Sequence, residues 1–241
     1  MNEEVVYIAE LDADVDDVVA AHYLYKTGFL KCVVCDPYPK TSIGLNRKNQ
    51  LEQLGINVLK KMPPIAKYIF VGGALTLVAD YIRMHHVDYL VMNGGYVGSN
   101  IVPESNQLDK FKGKETVRTF NFNCDVKSTD YVLRSTEKQI SNIILVGKNV
   151  CHSRRNSEID LWKDKKFLDL FRLYQVKPGK CQHDMLACHE GISILTGEET
   201  FCEYEKVKPY NEGLNGSYTK WGSTKHKDTP YREVMAAAQL K

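Results

Sequence analysis

The run Val5-Val6-Tyr7-Ile8-Ala9-Glu10-Leu11-Asp12-Ala13-Asp14-Val15-Asp16-Asp17 packs an apolar stretch directly against a crowd of carboxylates. Val5 to Leu11 reads as a buried strand, because an apolar run of this kind suits a strand covered on both faces. Asp12 to Asp17 reads as a tight acidic turn, and Val18 to Lys26 as a helix closed by Gly28. Strand, turn and helix in immediate succession form the first half of a β-α-β unit.

Working outward, the same alternation continues. A strand is expected at Leu30 to Cys35, a stop at Asp36-Pro37-Tyr38-Pro39, and a helix from Arg47 to Leu54 ending at Gly55. Further strands are expected at Tyr68 to Val71, Tyr89 to Met92 and Ile143 to Val146, with helices at Leu75 to Met84 and Thr129 to Ser141. The pattern predicts one doubly wound α/β domain over residues 1–241, with a mostly parallel sheet and helices on both faces. Pro103 to Val117 is charged and aperiodic, which marks a surface loop or a lid. After Ile194, strands are expected near Glu203 to Lys208 and Ser217 to Trp221, then a final helix started by Thr229-Pro230.

Composition excludes several classes. The 241 residues are 43% hydrophobic, 26% charged and 10% aromatic, an ordinary globular profile. With 32 Lys plus Arg against 30 Asp plus Glu, the net charge of +2 supplies no general field for nucleic acid or an anionic membrane. An anionic partner must therefore be held locally. The seven cysteines are odd in number and scattered, which suits reduced thiols in a cytoplasmic protein. Cys32 and Cys35 form a C-x-x-C inside a strand-like run, where neighbours three apart face opposite ways, so a zinc or redox role is not expected. Neither a signal-peptide pattern nor a long apolar span occurs.

Asp12, Asp14, Asp16 and Asp17, with Glu10 just before them, repel one another. At 4 Å a carboxylate pair costs roughly 1 kcal/mol in water and about 4 kcal/mol at an effective dielectric near 20. The positive end of the following helix offsets part of this, and a hard cation with oxygen ligands offsets more. The alternative is that Asp14 and Asp16 are solvated turn and N-cap residues. No paired His or Cys stands nearby, so Ca²⁺ or Mg²⁺ is favoured over zinc.

Three later clusters can complete a site. Gln182-His183-Asp184 opens the apolar Met185-Leu186-Ala187, Asn149-Val150-Cys151-His152 follows a strand, and Asn121-Phe122-Asn123-Cys124-Asp125 offers amides suited to sugar hydroxyls. Each alternatively caps or turns the chain.

In chain order these pieces resemble the inosine-uridine preferring nucleoside hydrolases. Glu10 to Asp17 is similar to the N-terminal D-x-D-P-G-x-D-D of that family. Val71-Gly72-Gly73-Ala74-Leu75-Thr76 resembles its G-P-L-T segment, and Met92-Asn93-Gly94-Gly95 its M-G-G. Asn121 four before Asp125, Asn149 to His152, and His183-Asp184-Met185-Leu186-Ala187 resemble E-F-N-x-x-x-D, N-V-T-H and H-D-P-L-A. The resemblance spans about Val5 to Ala187.

The resemblance implies calcium ligation by Asp12, Asp17, Asp184 and the backbone carbonyl of Cys151. It further implies Asp16 as the water-activating base, Asn121 as a ribose-binding amide, Asp16 and Asp184 also at the substrate, and His183 beside the leaving base. Asn100 or Asn106 is expected to supply a further amide. Departures are Ala13-Asp14 for the turn's Pro-Gly, Cys151 for a threonine, Thr119 for a glutamate that would meet the ribose 5′-hydroxyl, and a shortened stretch between Asp36 and Lys67.

The implied activity is calcium-dependent hydrolysis of a ribonucleoside to free base and ribose, in nucleoside salvage, by a cytoplasmic dimer or tetramer. Such hydrolysis passes through an oxocarbenium-like sugar and needs an activated water and a stabilised leaving group. Tyr96, Trp162 or Trp221 is expected to stack on the base. One rival reads Leu11-Asp12-Ala13-Asp14-Val15 as a haloacid-dehalogenase-type phosphatase motif, with Asp12 as nucleophile, Asp14 as acid and Mg²⁺. The other is a nucleoside- or ribose-binding relative without catalysis. The hydrolase reading requires Asp184 to come within a nanometre of the acidic turn.

Overall fold

A computed structural model describes residues 4–10, 15–35, 42–152, 163, 165–176, 181–213 and 218–241. Strand β1 (Val5–Ala9) is buried throughout, and its side chains alternate between two cores. Val5, Tyr7 and Ala9 pack with helix α1 (Asp16–Thr27) on one face, while Val6 and Ile8 belong to the core of the other. An uninterrupted apolar run is what this two-sided burial demands. Gly28 ends α1 with φ 81°, a left-handed conformation in which glycine meets no Cβ penalty.

Beyond α1 come β2 (Leu30–Cys35), α2 (Ser42–Gln53), β3 (Val58–Leu59), β4 (Tyr68–Val71), α3 (Thr76–Tyr81) and β5 (Val87–Asn93). Two short 3₁₀ turns, Glu104–Asn106 and Asp109–Phe111, lead to β6 (Thr116–Val117). Then follow α4 (Phe120–Cys124), α5 (Val126–Leu133), β7 (Ile140–Val146), α6 (Lys148–Cys151), α7 (Lys165–Leu173) and α8 (His183–Thr196). The last elements are β8 (Cys202–Glu212), β9 (Lys220–Thr224) and β10 (Val234–Leu240).

Among the described residues, ten strands lie in the order β3-β2-β1-β4-β5-β7-β10-β8-β9-β6. From β3 to β10 every neighbouring pair is parallel, and beyond β10 the pairs are antiparallel. The doubly wound α/β expectation holds. From β1 the chain winds one way to β2 and β3 and the other way from β4, so the order reverses between β1 and β4. A crevice at such a point is where this architecture binds ligands.

Two expected helices are corrected. The segment begun by Thr229-Pro230 becomes β10, inserted between β7 and β8. Val234-Met235-Ala236-Ala237-Ala238-Gln239-Leu240 has good helix formers, but pairing on both edges and burial of its alanines outweigh that weak preference. Thr129 to Ser141 is not one helix, because α5 stops at Leu133 and Ile140-Ser141 already belong to β7. The expected strand near Ser217 runs from Lys220, and Ser217 and the stop at 36–39 lie outside the described residues. Among the described residues no disulfide joins any two of the seven cysteines. Among the described residues no helix is long and apolar enough to cross a membrane.

Candidate active site

The carboxyl ends of β1, β4, β5 and β7 open into a cavity of 310 Å³. It is lined by Glu10, Asp16, Asp17 and Gly72, by Asn93 to Gly95, by Thr119 to Asn121, by Lys148, Cys151 and His152, and by His183 and Asp184. Asp16 and Asp17 begin α1, and Asp184 lies in the first turn of α8. All three are at least nine-tenths buried, at positions where the helix dipole offsets part of the cost of their charge.

Gly72, which follows β4, brings the acidic groups together. A Cβ built there would lie 2.3 Å from Asp17 Oδ1, 2.3 Å from Tyr7 Oη and 3.1 Å from Asp184 Oδ1. The two carboxylate oxygens thus crowd the same point, although their residues lie far apart in the sequence. The Tyr7 hydroxyl donates to Asp17 Oδ1 at 2.7 Å, and Asn93 Nδ2 donates to Asp184 Oδ1 at 2.5 Å. Burial first, and Asp184 second, push the Asp17 carboxyl well above the ordinary range, with the Tyr7 hydrogen bond opposing them. Burial likewise raises the Tyr7 hydroxyl, which keeps it a donor.

Asn121 Nδ2 donates to the carbonyls of Gly72 at 2.7 Å and Asn93 at 2.8 Å, tying the ends of β4 and β5 to the cavity wall. His183 Nδ1 is 3.9 Å from Asp16 Oδ2, and its ring centroid is 4.6 Å from that of His152. Burial, then the neighbouring His183, Lys110 and Lys148, hold His152 down at about 3, so its ring is neutral at physiological pH. Lys110 Nζ lies 3.0 Å from His152 Nδ1.

Cys151 is buried, and its thiol is raised well above the usual value by burial and then by Asp184. It is therefore a neutral S–H group, contacting Asn93 Oδ1 at 3.6 Å and the Val146 carbonyl at 3.5 Å. The sulfur does not act as a thiolate. Asp12 and Asp14 lie outside the described residues. Among the described residues no group of three or more His, Cys, Asp or Glu is arranged to hold a metal.

The cavity thus joins Asp16, Asp17, Asn121, Cys151, His183 and Asp184. It does not include Asn100, whose amide donates to the Ser223 carbonyl at 2.7 Å, or Asn106, bonded to Gln239 at 2.6 Å. Tyr96 and Trp221 are core residues, packed on Phe111 and Phe122 respectively, and Trp162 lies outside the described residues. Among the described residues the cavity lining also includes Phe120, 65% exposed. An aromatic next to Asn121 was the available signal for it. Asp125 caps α5 by accepting from Ser128 N at 3.0 Å and also accepts from Thr76 at 2.9 Å, a structural task.

The doubly wound α/β sheet thus carries an acidic, amide-lined crevice at its switch point, where this architecture places ligand sites. No protein-family model matches the chain. A relative from Aquifex aeolicus (strain VF5), described only as an uncharacterized protein, is 26% identical over 170 residues, covering 66% of this chain and 55% of that protein. The chain thus spans little more than half that relative's length. A solved plant nucleoside hydrolase matches with a TM-score of 0.61 over 100% of this chain and 95% of its own, at 14% identity. The fold is nucleoside-hydrolase-like.

Proposed function

We propose that the protein is a calcium-dependent hydrolase of the N-glycosidic bond of a ribonucleoside. The observation that carries this reading is the meeting of Asp17 and Asp184 around Gly72, in one cavity with Asp16 and His183. Two buried carboxylates held this close repel one another, and their oxygens suit a hard divalent cation. Asp17, Asp184 and the Cys151 carbonyl would hold calcium together with Asp12. When bound, calcium supplies Lewis acidity that lowers the pKa of water and grips a vicinal diol.

The remaining work falls to this chain's residues. Asp16 accepts the proton of the attacking water as a general base. Asn93 orients the Asp184 carboxylate through its 2.5 Å bond, and the Tyr7 hydroxyl orients Asp17. The buried carboxylates favour the positive charge that develops on the sugar. His183 faces the leaving base, and Phe120 offers the aromatic surface on which that base stacks.

The test is chromatographic detection of free base from a nucleoside panel, after thorough chelation and again with calcium restored. Calcium-restored release supports the reading. An unchanged rate after chelation counts against calcium, and nucleoside binding without release selects a non-catalytic relative.

A further inference from the structure

The walls of the cavity differ in charge. Its carboxylates come from the β1–α1 turn and the start of α8, whereas Thr119 and Lys148 come from the segments after β6 and β7. Lys148 Nζ donates to the Arg118 carbonyl at 3.0 Å, which sets the ammonium beside the residue preceding Thr119. Lys110 and Arg118 lie close enough that, after burial, they are what lower the Lys148 pKa. Among the described residues none of these three cations forms an ion pair with a carboxylate. Thr119 is 3% exposed, and its buried hydroxyl has no hydrogen-bond partner among the described residues. A buried hydroxyl without a partner loses free energy that a ligand oxygen restores. Three cations without a carboxylate partner, Lys148 in the cavity wall and Lys110 and Arg118 behind it, repel one another until an anion arrives.

We propose that this wall is a phosphate subsite, and that the cavity takes a ribosyl 5′-monophosphate whose phosphate is held by Lys148 and the Thr119 hydroxyl and drawn in by Lys110 and Arg118. Resting on the hydrolase reading, the compound cleaved is a nucleoside 5′-monophosphate. Water adds its hydroxyl to C1′ as the C1′–N bond breaks, its proton leaves with the base, and the phosphate ester stays intact.

Calorimetry with ribose and ribose 5-phosphate tests the subsite separately from turnover. Ribose 5-phosphate is expected to bind at least about tenfold more tightly than ribose, the gain of a charge-assisted contact. Lys148→Ala and the surface variant Arg118→Ala should each reduce that preference, Lys148→Ala by roughly tenfold. Equal binding of the two sugars, or an unaltered preference in both variants, overturns the proposal. So does base release from nucleosides with none from their 5′-monophosphates, an outcome that leaves the hydrolase reading standing. Preferential ribose 5-phosphate binding without base release from any compound sinks the hydrolase reading and keeps the subsite.

Discussion

Tyr7 and Asp17 are joined by a 2.7 Å hydrogen bond from the phenol to the carboxylate, linking the middle of the first strand to the first turn of the first helix. The bond closes over Gly72, where no side chain fits. Backbone and site are therefore one structure at this point.

Gly72→Ala should drive its methyl into Asp17 Oδ1 and Tyr7 Oη, each 2.3 Å from the Cβ position. Overpacking of this kind costs about 1–3 kcal/mol. The expected result is a modest drop in thermal stability with loss of nearly all base release, read by calorimetry and chromatography. Wild-type turnover would show that this contact does not organise the site.

Asp16→Asn keeps the size and removes the proton acceptor. A general base contributes roughly 10² to 10⁴-fold, so kcat should fall by that factor while circular dichroism stays unchanged. Full residual turnover would remove Asp16 from its assigned role.

Glu190→Ala tests packing away from the site. The buried Glu190 carboxylate accepts from Phe201 N at 2.8 Å, Cys202 N at 3.1 Å and the Tyr204 hydroxyl at 2.9 Å, joining α8 to the start of β8. Removing it strands these donors, at a cost of about 3 kcal/mol. For a chain of this size that means a Tm lower by roughly 6–12 °C. A variant as stable as the parent would mean that the burial cost of the carboxylate cancels its hydrogen bonds.

His22 sets an acid limit on stability. Burial, and then Lys26, lower its pKa, and its Nδ1 lies 3.1 Å from the Tyr174 hydroxyl. The folded pKa is below the unfolded value of about 6.5, so the unfolded chain binds the proton more readily. The stabilisation is complete above about pH 6.5 and is lost as pH falls toward the folded pKa. In urea unfolding at pH 7.5 and 5, His22→Asn should show a smaller pH difference than the parent. An equal difference would assign the acid sensitivity to other groups.

The strand at Tyr68–Val71, and Cys32 to Val34 within Leu30–Cys35, were legible because apolar runs have one stable place, a sheet covered on both faces. Gly28 was legible as a helix end because a left-handed residue is required there. The alanine-rich β10 was not, since its conformation is set by strands distant in sequence. Asp16, Asp17, His183 and Asp184 stood out as chemistry-bearing types in motifs. Asn93 belonged to a motif, yet its bond to Asp184 depends on the crossing of β5 and α8, which no spacing encodes. Asn100 failed for the complementary reason, as an amide in a polar loop finds a nearby carbonyl as readily as a ligand.

The insertion of β10 between β7 and β8 has a consequence for biosynthesis. During translation β8 and β9 emerge before the strand that joins them to the parallel half of the sheet. Until residues 234–240 leave the ribosome, β7 and β8 present open edges to solvent or to a chaperone. Truncation just upstream of Val234 would therefore leave two adhesive borders in the nascent chain, and the polypeptide would aggregate instead of forming a smaller, still native sheet.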